Sequence, residues 1–164
     1  SKSGLFAHFG SKEALQVQAL EAEADKFIDH VVRPALKADP GEPRVRALFD
    51  RWLRWVNTRG KNGCLFVQSS AEFDDQPGAV RDALRVQQER WFTFLAEAGN
   101  RAAEERHFRE TLDADQFAFE FHALLLGFHH AHRMMRDPQA EARLTLAFER
   151  LLDSCRMPAT DSTR

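Results

Sequence analysis

Residues 115–136 are the stretch that most limits the folds open to this chain. Phe117, Phe121, Leu124, Phe128, Ala131 and Met135 recur at helical spacing, and Phe119, His122, Leu125 and Leu126 thicken the stripe. A helix apolar on more than one face must be buried on more than one face, so other helices have to surround it. The chain supplies them. Val45, Leu48, Phe49, Trp52, Leu53 and Val56 follow an i, i+3, i+4, i+7 pattern that predicts a helix over 44–57, with Trp55 off the stripe. Leu15, Leu20, Phe27, Ile28 and Val31 predict one over 11–32, with Glu21, Glu23, Asp25 and Asp29 on its solvated face. Val80, Leu84, Trp91 and Leu95 carry a long helix to about residue 105, and Leu144, Phe148, Leu151 and Leu152 stripe the last. The fold class is all-α, a helical bundle.

The punctuation agrees with this division. Ser11 suits an N-cap, and Asp113 with Gln116 makes a start like a capping box. Pro34 is expected to end the first helix, because the residue before a proline is pushed out of the α region. With Pro40, Gly41 and Pro43 it marks 33–43 as a linker. The expected units are therefore 1–32, and 33–164 with about five to six helices.

A length of 164 residues suits one domain with a core. The 23 basic and 25 acidic residues give a net charge of −2. That excludes a protein coated in nucleic acid, so any DNA contact must be local. Cys64 and Cys155 lack metal-type spacing, which points to a reducing, cytoplasmic setting rather than a disulfide scaffold. No apolar run reaches the roughly 18 residues of a membrane span.

Residues 1–15, SKSGLFAHFGSKEAL, hold two lysines and a histidine around a break at Gly10, with the one acidic residue, Glu13, after it. A positive, small-residue helix end followed by a tight break suits contact with a phosphate backbone; a surface helical hairpin would read the same way. The string Gly4, Leu5, Phe6, Ala7, His8, Phe9, Gly10, Ser11, Lys12, Glu13, Ala14, Leu15 closely resembles the end of the helix-turn-helix in TetR/AcrR transcriptional regulators. The resemblance implies DNA-binding roles for Lys2, Ser3, Gly4, Phe6 and His8, with Lys12 clamping a phosphate. Phe6 stands where the family has tyrosine, removing one hydroxyl. The chain starts at the recognition helix, so the bracing helix is expected to be missing, and DNA binding by the chain as it stands is expected to be poor. Cys64, Leu65, Phe66 and then Glu72, Phe73, Asp74 and Asp75 resemble the sixth-helix region of one subgroup, which implies a short helix over 64–73 beside a ligand cavity.

Several residues carry candidate chemistry. Trp52, Trp55, Phe66, Phe73, Trp91, Phe94, Phe117 and Phe121 lie on helices that would pack together; with His122 they are the candidate wall of a cavity for a hydrophobic or aromatic effector. His122, His129 and His132 share helical faces and offer an alternative metal site, against which no carboxylate or cysteine is interleaved. Glu72, Asp74 and Asp75 read as a helix end and loop. Cys64, near Lys61, is a candidate sensor thiol or a small core residue. Phe128, His129, His132, Met135, Leu144, Phe148 and Leu151 on the last two helices are the candidate homodimer interface. No phosphate loop, nucleophile elbow or paired acid and base is present, so no enzyme activity and no cofactor are expected.

The resemblance implies a one-component regulator, a repressor by expectation, whose partners are double-stranded operator DNA, a small-molecule effector and a second copy of itself. The alternatives are a helical ligand-binding and dimerisation module without DNA binding, or a metal-responsive regulator built on the histidines.

Overall fold

The computed structural model describes residues 11–58 and 64–157; among them every element is helical apart from one isolated bridge, Phe108 to Arg156. α1, Lys12–Phe27, runs through a π-helical turn, Ile28–Val32, into the short α2, Arg33–Ala35. Then come α3 (Glu42–Thr58), α4 (Leu65–Phe73), α5 (Ala79–Glu104), α6 (Ala114–His129) with a second π-helical turn (His130–Met134), and α7 (Ala140–Cys155).

The caps act as their side chains allow. Ser11 Oγ accepts the Ala14 N–H at 3.0 Å, and Asp113 Oδ1 accepts that of Gln116 at 3.0 Å. Gln116 does not complete a capping box, because its amide donates to Glu120 at 2.7 Å instead.

Pro34 does not end the first helix. The Arg33 N–H reaches the Ile28 carbonyl five residues back, a wider turn that accommodates a residue without an N–H. Leu36 then regains the Val32 carbonyl at 3.0 Å. The helical rod therefore passes through the boundary expected at 32 and 33. Glu23 is also not on the solvated face. It lies one turn from Leu20 and from Phe27 and shares their inward side, buried, with Lys26 Nζ 3.9 Å from its Oε2.

The main core joins Val45, Leu48, Phe49, Trp52 and Val56 of α3 to Phe117, Phe121, Leu125 and Phe128 of α6 and to Leu144, Phe148, Leu151 and Leu152 of α7. The rings of Phe49 and Phe148 stack 3.9 Å apart with planes 2° from parallel. Phe128, Leu144, Phe148 and Leu151, expected at a dimer interface, are thus buried within the chain itself. Their stripe faces α3, and the sequence had no means of saying which of two apolar faces met which neighbour. A smaller cluster, Leu20 with Val80 and Leu84, fastens α1 to the start of α5.

Charge ties α3 to α7. Arg46 donates to Glu42 at 2.8 Å and forks onto both oxygens of Glu149 at 2.6 and 2.8 Å, while Arg156 Nε donates to Glu42 at 2.9 Å. Arg156 first, and Arg46 after it, hold the Glu42 carboxyl down at about 2.

Candidate functional site

The middle of α5, from Gln87 to Phe94, faces α6 and the first helical rod across an open space. The space between is a cavity of about 310 Å³. Ala24, Phe27, Ile28 and Val32 line it from the rod, Trp52 from α3, Cys64, Phe66 and Val67 from α4 and the residue before it, Gln87, Gln88, Arg90, Trp91 and Phe94 from α5, and His122, Leu125 and Leu126 from α6. Phe27 is the hub of the aromatic wall. Its ring meets Trp91 edge-on at 5.2 Å, Trp55 at 6.1 Å and Phe66 at 6.5 Å.

Of the residues expected around an effector, Trp52, Phe66, Trp91, Phe94 and His122 meet at this cavity. The others do not. Trp55 is buried behind Phe27 and 5.3 Å from the ring of His30. Phe73 packs on the small cluster with Val80 and Leu84. Phe117 and Phe121 lie in the main core, 6.0 Å apart, with Phe121 5.4 Å from Phe148. Phe27, Ile28 and Val32 were not anticipated as wall residues. The available signal was Pro34, whose demand on the preceding turn widens the rod where the cavity opens.

His122 is a half-buried polar side chain of the wall. Burial pushes its imidazole down to about 4, so it is neutral at physiological pH. Its Nδ1 is buried without a hydrogen-bond partner among the described residues, and Phe92 lies against the ring at 4.8 Å. Gln88 is engaged, donating to Ser70 Oγ at 2.9 Å, and Ser70 in turn donates to the Phe66 carbonyl at 2.6 Å. Arg90 is exposed and marks the solvent edge.

The cavity wall is coupled to the front of α1 by a second contact. Glu13 Oε1 accepts the Ala79 N–H at 2.8 Å, so α1 supplies the cap that α5 lacks at Gly78. Gly78 has φ of 149°, and a Cβ there would lie 2.7 Å from that same oxygen. Lys12, next to Glu13, is exposed. The other residues expected to contact DNA, Lys2, Ser3, Gly4, Phe6 and His8, lie outside the described residues, as does Lys61 beside Cys64.

Three histidines do not form a metal centre. At about 1.5 Å of rise per residue, His122 and His129 are separated by roughly 10 Å along the axis, whereas ligands of one zinc ion each lie about 2 Å from it. His132 instead stacks on Phe128 at 5.0 Å, and no group of three metal-ligating side chains is assembled among the described residues. No helix among them is long and apolar enough to cross a membrane.

Comparison with known proteins agrees with this architecture. The crystal structure of reduced E. coli NemR superposes with a TM-score of 0.79 at 23% identity, covering 98% of this chain and 82% of that one, a likeness of fold. No curated protein matches. Residues 41–148, which include α3 to α6 and most of the cavity wall, match the tetracyclin repressor-like C-terminal domain, and the chain therefore belongs to the TetR family of regulators.

Proposed function

We propose that this is a cytoplasmic one-component transcriptional repressor whose hold on operator DNA is released when a small hydrophobic or aromatic effector fills the cavity. One observation carries the reading. Ala24, Phe27, Ile28 and Val32 of the cavity wall lie on the same continuous rod as Lys12. A molecule pressing on that wall moves the rod, and the rod carries the phosphate-clamping end. Release requires that the effector bind the moved state better than the DNA-competent one. The protein acts as a homodimer that presents two recognition helices to half-sites about 34–36 Å apart. With Phe128, Leu144, Phe148 and Leu151 spent on the core, the pairing surface falls to exposed apolar side chains of the last helices, such as Phe119 and Leu146, with Met134, Met135 and His132 at the second π-helical turn.

The test is operator binding measured against salt concentration. Lys12→Ala should weaken operator binding about equally across sequences and reduce the salt slope by about one. An unchanged slope removes Lys12 from the interface. Absence of any DNA binding favours the module without a DNA role.

A further inference from the structure

The cavity restricts its occupant beyond "small and apolar", on the premise that it is the effector site proposed above. A dry apolar cavity of about 150 Å³ holds one benzene ring, and this one is about 310 Å³. Two rings fit where four would not. No aspartate or glutamate lines it among the described residues, so a cation inside would have no counter-charge. Arg90, the one charged side chain of the described wall, is exposed and hydrated, which leaves an anion deeper in without a partner of full charge.

Gln87 also reaches the wall, half-buried, but the polar group buried there without a partner among the described residues is on His122. Its neutral imidazole offers one donor and one acceptor, and Nδ1 has no partner among the described residues. A ring flip exchanges the positions of nitrogen and carbon at little cost to packing. A hydroxyl, which both donates and accepts, can answer whichever nitrogen the ring presents.

We propose that the cavity takes a neutral two-ring aromatic molecule with a single hydroxyl, its rings against Phe27, Trp52 and Trp91 and its hydroxyl on the imidazole of His122.

A matched series tests this on the chain as it is: naphthalene, 2-naphthol, 2-naphthoate and 2-naphthylmethylammonium, each titrated by calorimetry at pH 7.5. 2-Naphthol should bind tightest, roughly three- to tenfold ahead of naphthalene, the worth of one neutral hydrogen bond. His122→Leu should bring 2-naphthol level with naphthalene while naphthalene still binds. His122→Gln, which keeps a donor and an acceptor, should retain most of the preference and serves if the leucine variant folds poorly. Tightest binding by the carboxylate or the ammonium, binding by none of the series, or a naphthol preference that survives His122→Leu overturns the proposal. Operator release is no part of this readout. A protein that binds 2-naphthol through His122 yet never lets go of DNA leaves this inference standing and sinks the regulator reading alone.

Discussion

The two halves of α5 treat aromatic neighbours in opposite ways. In its C-terminal half Leu95, Ala98, Gly99 and Ala102 are buried and mostly small, and α6 comes in close. A Cβ built on Gly99 would lie 2.8 Å from the Phe117 ring. The aromatic rings there close into a solid core. Nearer the middle, Gln87, Gln88, Trp91 and Phe94 are larger and only half-buried, facing the rod beside its π-helical turn. Aromatic rings are abundant on both sides, and the cavity described above opens beside residues 87–94. Small residues let the Phe117 ring come up against the helix at Gly99, whereas bulkier, half-buried side chains and a wide turn border the cavity.

The largest effect that would break this contrast is truncation. Phe121→Ala should cost about 3–5 kcal/mol, as for a filled core. Trp91→Ala should cost less, roughly 1–2 kcal/mol, because one side of the ring already faces empty space and lacks contacts to lose. Urea denaturation of both variants measures it, and equal losses would mean the two halves are packed alike. Glycine substitution sharpens the same point. Gly99→Ala should destabilise by about 1–3 kcal/mol through its clash with Phe117. Gly127→Ala, with nothing within 4 Å of its Cβ, should stabilise α6 by about 0.5–1 kcal/mol. Thermal melts of the pair suffice.

The smallest effect concerns the charges that bind α3 to α7. Glu42 is held at about 2, below its ordinary 4.5. Its contribution is therefore complete above 4.5 and is lost as pH falls through about 2. Glu42→Gln should lower stability at pH 7 by on the order of 1 kcal/mol, allowing for solvent screening of its arginine partners, and should flatten the acid-side loss between those limits. Parallel pH profiles of the two proteins would sink the linkage.

Much of the fold was legible because local chemistry decided it. The α3 stripe and the caps at Ser11 and Asp113 each depend on neighbours within a turn or two. Pro34 misled because a π-helical turn relieved the constraint that normally ends a helix there. The site was legible in part. Trp52, Phe66, Trp91, Phe94 and His122 meet at the cavity, but Phe117 and Phe121 carry the same side-chain chemistry and lie in the core. Residue type identifies what likes to be buried; it does not say whether the opposite wall is in contact.

The turn Ile28–Val32 also sets an angle. An α-helix advances about 100° per residue, and a π-helical turn accommodates one residue more than the α-helical turn it replaces. Every side chain ahead of it, Lys12 and Glu13 included, therefore points about 100° away from where an uninterrupted α-helix anchored at Ala35 would aim it. The orientation of the front end is encoded in the count of residues in one turn. A single deletion between 29 and 31 would redirect that end while keeping Ile28 and Val32 of the cavity wall in the chain.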